Sequence, residues 1–310
     1  MGLYAARRLA LALPVLLVLS IGAFLLVRLV PGSPVTLMLG PRANPESIAT
    51  LTRQLHLDAP WLDQYLTFLA GALRLDLGDS ILLRAPVGSL LLPRILVSAA
   101  LVTYGVLIAL LIAVPLGVIS GMRRNRPEDH SIRLLSTIAF GMPTFWLSLV
   151  LILLFSLTLK LLPTSGYATE PLGQLRALTL PALVIGLIQA PLLVRTLRTS
   201  VIETSAAEHV EAARARGLPS SVVVRHHVLR GSLLPMITVL GVNVGFLLSW
   251  TVVVETVFAL PGLGSALVTA VLGRDYPMIT GITLAFGVAV VVISLITDLA
   301  YAVLDPRVRL

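Results

Sequence analysis

The chain has 310 residues, of which 57% are hydrophobic and only 12% charged, with a net charge of +8. So low a charged fraction, about half that of a soluble domain, marks an integral membrane protein, and the mean hydropathy of +0.97 agrees. The absence of cysteine removes disulfides, thiolate nucleophiles and sulfur-ligated metals; the single lysine, Lys160 in LTLKLLP, leaves no glycine-rich phosphate loop ending in Gly-Lys-Ser or Gly-Lys-Thr.

A helix crossing about 30 Å of hydrocarbon needs about 20 mostly apolar residues. Six stretches qualify, at about 9–30, 97–120, 132–158, 178–198, 234–258 and 281–304. The first follows Arg7 and Arg8; its apolar run is too long for a signal peptide, and no small-x-small site precedes Arg28, so it reads as an uncleaved anchor. The region 31–95 follows. Asn44-Pro45-Glu46 has the cap, first-turn proline and acid of a helix start, and Leu62, Tyr65, Leu66 and Leu69 fall on one helical stripe. This region is expected to form a small cap on the outer membrane surface.

Arginines set the orientation. The termini and the second and fourth connections carry Arg7, Arg8, Arg123, Arg124, Arg126, Arg133, Arg195, Arg198, Arg214, Arg216, Arg225, Arg230, Arg307 and Arg309. The short loops on the other side carry only Lys160, Arg176 and Arg274. The positive-inside rule therefore predicts cytoplasmic termini. The basic excess is topological and does not indicate nucleic-acid binding.

In the third span, Gly141-Met142-Pro143 predicts a kink that shapes a path or gate, with Met142 and Phe145 beside it, although both also suit packing. The fourth connection contains EHVEAARARGLPSSVVVRHHVLRGSLLP from Glu208. Ser205 and Glu208 have capping-box spacing, which predicts a helix start at Ser205. Gly217 is placed as a left-handed C-cap, with Pro219 stopping the helix. Ala206, Val210 and Ala213 form a shallow stripe suited to close approach by another protein, while Glu208, Glu211, Arg214 and Arg216 occupy the rest of the surface. A solvated loop that only sets topology is the alternative. His226 and His227 are sequence neighbours whose side chains diverge, so no metal site is read there.

Ionisable groups within spans are functional candidates by default. Glu255 lies near the outer end of the fifth span and Asp298 near the inner end of the sixth, each suited to structural pairing or to gating. Asn243 and Gln189, deeper in their spans, suit helix–helix hydrogen bonds, with Asn243 kept as a path candidate. All five histidines fall in loops, and no Gly-x-Ser-x-Gly or His-Glu-x-x-His motif appears, which argues against an intramembrane enzyme. A self-sufficient channel or secondary transporter remains the rival class, though no inverted repeat supports it.

The segment Glu211-Ala212-Ala213-x-x-x-Gly217 resembles the cytoplasmic EAA loop of the permease subunits of binding-protein-dependent ABC importers. The long gap to Leu234-Pro235 is similar to that of the dipeptide, oligopeptide and nickel branch. The likeness extends through RRLALALPVLLVLSIGAFLLVRLVPGSPV, LHLDAPWLDQYLTFLAGALRLDLGDS, FGMPTFWLSLVLILLF, ETVFALPGLGSALVTAVLGRDYPMI and TDLAYAVLDPRVR, in that order. Two departures stand out: Ser33, where the branch usually has an acid, and Leu75, where it usually has glycine before Asp76-Leu77-Gly78.

The resemblance implies an all-α fold of six transmembrane helices, the type I ABC importer permease fold, with an extracytoplasmic cap between the first and second spans. It implies three regions: 1–30, the N-terminal tail and first helix; 31–95, the cap; and 96–310, a five-helix core with its coupling loop at about 199–235. Glu208, Glu211, Ala212, Ala213, Arg214, Arg216 and Gly217 would then couple to an ATPase, with Met142, Phe145, Asn243 and Glu255 at the path or gate. The implied partners are a second homologous permease in a heterodimer, two ATPase subunits or domains, an extracytoplasmic binding protein and membrane lipid. The chain itself would need no cofactor or metal, ATP-Mg being held by the partner subunits. The setting it implies is a bacterial inner membrane, and the implied cargo di- or oligopeptides, with nickel complexes, glutathione or another small solute as alternatives.

Overall fold

The computed structural model describes residues 13–25, 35, 39, 44–54 and 58–304. In chain order the helices are α1 (Leu13–Leu25), α2 (Pro45–Gln54), α3 (Trp61–Leu73), α4 (Val87–Met122), α5 (Pro127–Gly141), α6 (Thr144–Leu151), α7 (Pro171–Ser205), α8 (Glu208–Ala215), α9 (Leu229–Val257), α10 (Leu263–Leu272) and α11 (Tyr276–Leu304). The π-helical stretch Ile152–Thr158 continues α6, and another, Val223–Val228, leads into α9.

Three helices, α4, α7 and the Tyr276–Thr297 part of α11, are each long and apolar enough to cross a membrane. Counting as single spans two helix pairs bent at a short break raises this to five, and α1 supplies the described part of the first predicted span. The remainder of that span lies outside the described residues, as do Arg7, Arg8, Ser33, Arg307, Arg309 and the side chain of Asp298.

The third predicted span is not one helix. It breaks between Gly141 and Thr144 with a bend of 105°. Met142 takes φ −78°, ψ 126° and Pro143 φ −61°, ψ 137°. The cause is local: proline's ring drives the preceding residue out of the helical region.

The chain forms two compact units, Met1–Val97 with Gly262–Val291, and Ser98–Pro261 with Val292–Leu310. In the first, Asn44 caps α2 as expected, its Oδ1 accepting from the Ser47 amide at 2.7 Å. On α3, Tyr65 faces α1: its hydroxyl is 2.8 Å from Ser20 Oγ, and its ring meets Phe24 edge-on at 5.3 Å. Val87, Leu91, Leu263, Ala266, Ala270, Met278 and Ile282 form the core of this unit.

The 74–86 loop is held by Asp275, which is 1% exposed. Its carboxylate accepts from the Ser80 hydroxyl and from the amides of Ile81 at 3.1 Å and Leu82 at 3.2 Å. Leu75 sits in the left-handed region at φ 61°, so the position where the resembling branch has glycine does make a glycine-like turn.

In the second unit α7 is the central element. Its 35 residues, about 52 Å of helix, are buried along much of their length despite Pro181 and Pro191. Glycines bring α4 and α7 together: a Cβ on Gly105 would lie 2.6 Å from Ile185, one on Gly186 2.5 Å from Ile108, and one on Gly121 2.6 Å from Val201. Small residues permit such close backbone approach in membrane helix pairs.

Candidate functional site

The segment singled out by sequence folds into α8 and its flanking corners. The predicted start at Ser205 is wrong. Ser205 is the last residue of α7, the chain turns at Ala206 and Ala207, and α8 begins at Glu208 with Ala207 in the extended N-cap position and no side-chain cap. Packing overrides the capping signal: Val201, one turn earlier, is fully buried beside Gly121 and carries α7 onward, while Ser205 Oγ lies 3.7 Å from Met122 Sδ.

The C-terminal corner is as expected. Gly217 has φ +78°. Its amide donates to the Arg214 carbonyl at 2.9 Å, and the Leu218 amide to the Ala213 carbonyl at 3.4 Å, the paired bonds of a Schellman cap. Pro219 follows as the N-cap of the short helix Ser220–Val222, so the turn is stiff on both sides.

The expected stripe is corrected in a second respect. Val210 (0% exposed) and Ala213 (5%) pack into this chain's own core with Leu197, Val201, Val223 and Val228, so that face is closed to another protein. Ala206 stays exposed. The free face of α8 carries Glu208, His209, Glu211, Ala212, Arg214 and Ala215, followed by Arg216 and Gly217, all exposed. One side of the helix is thus bolted to a core and the other presents two carboxylates, two guanidinium groups and small side chains.

The second candidate region is the helix break. A cleft of about 390 Å³ is lined by Thr137, Ile138, Gly141, Met142, Pro143, Phe145 and Trp146. Met142 is half-buried, while Phe145 and Trp146 are exposed. Glu255 is fully buried and accepts from Ser98 Oγ at 2.6 Å, joining α9 to α4. Asn243 bridges no helices among the described residues; its Nδ2 donates to the Val239 carbonyl of its own helix at 2.9 Å, since the i−4 oxygen lies within reach of the short side chain. Gln189 is 1% exposed, and neither amide atom has a partner among the described residues; nothing in the structure explains it. Met142 and Phe145 meet at the cleft, whereas Asn243 and Glu255 are not among its lining residues.

Sequence reading passed over two buried acids, Asp275 of the first unit and Asp129 of the second. Asp129, in the first turn of α5, is fully buried. Its Oδ1 accepts from Arg198 Nε at 2.7 Å and Ser120 Oγ at 2.6 Å; its Oδ2 accepts from Arg198 Nη2 at 2.8 Å and the Asn125 amide at 2.9 Å. One carboxylate therefore joins α4, α5 and α7. A second arginine, Arg133 of α5, stands with its Nε 3.6 Å from the same Oδ1 but is half-exposed, so Arg198 supplies the close, bidentate contact.

Two family descriptions match the sequence. Residues 113–310 match "Binding-protein-dependent transport system inner membrane component", and residues 1–79 match the N-terminal domain of such membrane components. Among similar proteins, a putative peptide transport system permease protein of Brucella abortus (strain 2308) is 36% identical over 306 residues, 98% of each chain. The dipeptide transport system permease protein DppB of Escherichia coli (strain K12) is 33% identical, across 98% of this chain and 97% of its own. Among solved structures, the inward-facing MetNI methionine ABC transporter has a chain that superposes with a TM-score of 0.59 at 17% identity, covering 70% of this chain and 96% of that one. At that identity the likeness speaks to the fold alone.

Proposed function

We propose a function from the premise that this chain belongs to the family of binding-protein-dependent transport system inner membrane components: it is a permease subunit of an ATP-driven importer of di- or oligopeptides. It forms half of the translocation path, and a second homologous permease forms the other half. The peptide cargo follows from full-length similarity to proteins described as peptide and dipeptide permeases. In this reading both termini and α8 are cytoplasmic, in keeping with the arginine distribution, and the 31–95 region faces the binding protein.

The observation that carries the coupling role is the two-faced character of α8. Val210 and Ala213 fix it to the chain's core, and the Gly217 cap sets its exit. Glu208, Glu211, Ala212, Arg214 and Arg216 are left to enter a cleft on an ATPase subunit, and Ala213 acts from beneath by seating the helix. A helix held this way cannot yield to a push, so displacement at its free face moves α7. ATP-Mg is bound and hydrolysed in two separate subunits, consistent with the lack of a phosphate loop in this sequence.

The helix break carries the path proposal. With Met142 and Phe145 at the cleft, a change in the bend at Pro143 alters its width. Asn243 and Glu255 are kept as path or gate candidates, Glu255 acting through its bond to Ser98.

The test is purification of the intact membrane complex, mass spectrometry of its chains, and ATP-driven uptake of labelled dipeptides and tetrapeptides in proteoliposomes supplied with the binding protein. The expected result is a second permease, ATPase chains and peptide uptake that requires ATP. Uptake by this chain alone without ATP would establish a channel or secondary transporter instead; ATP-driven uptake of nickel complexes or glutathione but not peptides would correct the cargo.

A further inference from the structure

We propose that the buried Asp129–Arg198 pair is the positioning element that makes α5 travel with the end of α7, so that displacement of α8 reaches the helix break at Met142–Pro143. This rests on the reading of α8 as the ATPase contact. Arg198 lies two turns before Ser205, where α7 ends, and only Ala206 and Ala207 separate that end from α8. No break interrupts the helix between Arg198 and this turn, and beyond it Val210 and Ala213 of α8 pack in one core with Leu197 and Val201, which flank Arg198 in sequence, so in this proposal α8 and Arg198 move together.

At the other side of the pair, α5 depends on Asp129. Of its 15 residues only Asp129 and Ile132 are buried, while Leu134, Leu135, Ile138 and Phe140 are exposed. The helix is about 22 Å long, held through its first two turns by Asp129 and by Ile132, which packs with Leu193 and Leu197 of α7, and ending at Gly141, where the 105° bend begins. Whatever sets the direction of its first turn sets the position of the break.

The geometry suits a directional link better than a simple attachment. Arg198 meets the carboxylate through Nε and Nη2 at 2.7 and 2.8 Å, a planar fork that fixes rotation as well as distance. Apolar contacts would hold the helices together at no desolvation penalty but would leave that rotation free. The Ser120 hydroxyl, at 2.6 Å, refers the same carboxylate to α4, which is itself pressed against α7 at Gly117 and Gly121.

The test uses the complete complex with its ATPase subunits and binding protein, comparing Asp129→Asn, Arg198→Lys and, as a control on the exposed face of α7, Thr199→Ala. Lysine keeps the charge but cannot form the fork. The expected result is that Asp129→Asn and Arg198→Lys complexes assemble and hydrolyse ATP, while peptide moved per ATP falls by about tenfold or more; Thr199→Ala stays within about twofold of the parent. A merely structural pair would lower the yield of complex and leave that ratio unchanged, which overturns the proposal.

A second measurement does not depend on those variants folding. In this cysteine-free chain, nitroxide labels at Thr137 of α5 and Thr199 of α7, both exposed, report whether the helices move as one body. An unchanged distance between nucleotide-free and ATP-bound complexes is expected; a shift of about 2 Å or more, the size of a helix displacement, overturns the proposal. Failure of the unmodified chain to assemble with any ATPase would overturn the coupling reading as well. Assembly with an unchanged transport ratio would overturn the Asp129 assignment alone.

Discussion

Gly217 permits a test in which size and backbone preference give opposite orders. At φ +78° a side chain pays for the left-handed conformation, yet a Cβ built there meets nothing within 4 Å. Steric collision is therefore absent, and the penalty is intrinsic to the backbone: about 1–2 kcal/mol for alanine, less for asparagine, whose side chain favours this region, and more for a β-branched residue. If the corner opens instead, the Gly217 and Leu218 amide bonds are lost, at about 1 kcal/mol each. Either route costs about 2 kcal/mol for Gly217→Val or more, roughly a thirtyfold fall in the population with α8 correctly presented. The expected order of ATP-driven uptake in proteoliposomes, normalised to chain content, is Gly, Asn, Ala, Val. Gly217→Asn should stay close to the parent, and Gly217→Val should be nearly inactive though present in the membrane at normal abundance. Uptake falling with side-chain volume, so that alanine outperforms asparagine, would refute the backbone argument, and normal uptake by Gly217→Val would refute the role of the corner.

Three further substitutions probe other parts of the fold. Leu75→Gly should raise thermal stability of the purified complex by about 1 kcal/mol by relieving the left-handed leucine at φ 61°; a lower melting temperature would contradict this. Pro143→Ala removes a constraint worth about 3 kcal/mol against a continuous helix, so labels at Leu134 and Leu153, on either side of the break, should move apart and uptake should fall; an unchanged distance would show that tertiary packing, not proline, holds the bend. Gly121→Val places a Cβ 2.6 Å from Val201 and 3.1 Å from the Arg198 carbonyl, an overpacking that should cost about 1–3 kcal/mol and lower the yield of detergent-extracted complex; parental yield and melting temperature would show that the two helices separate without penalty.

Much of this architecture is legible in the sequence because its signals are local. The Asn44 cap, the left-handed Gly217 and the disruption at Gly141-Met142-Pro143 each depend on residues within one turn, and each has its counterpart in the structure. The mistaken helix start at Ser205 is instructive, since the capping box is sound chemistry at the wrong address: burial of Val201 extends α7 past the point where a free peptide would stop. The stripe of Ala206, Val210 and Ala213 is expected from residue size to meet another protein, but size does not say which neighbour covers a face: Val210 and Ala213 are buried against their own chain and Ala206 stays exposed. Asp129 was illegible for a different reason. Within Arg-Pro-Glu-Asp-His it looks like part of a solvated turn, and only the approach of Arg198, 69 residues later, makes it a buried joint. Asp275 is another such case, an acid in a loop whose partners, Ser80, Ile81 and Leu82, lie almost two hundred residues earlier. Long-range pairs of this kind leave no trace in local spacing.

The most direct measurement for the central claim is a pair of single-cysteine crosslinking experiments on the cysteine-free chain within its native complex. Ala212, on the exposed face of α8, and Ala213, only 5% exposed and turned into the core, are adjacent in sequence and opposite in environment. A short bifunctional reagent should join Ala212→Cys to the ATPase subunit in high yield, with the yield changing on ATP addition, while Ala213→Cys stays unlinked. Equal linkage of both positions, or linkage of neither in a complex that transports peptide, would contradict the assignment of α8 as the contact through which ATP drives transport.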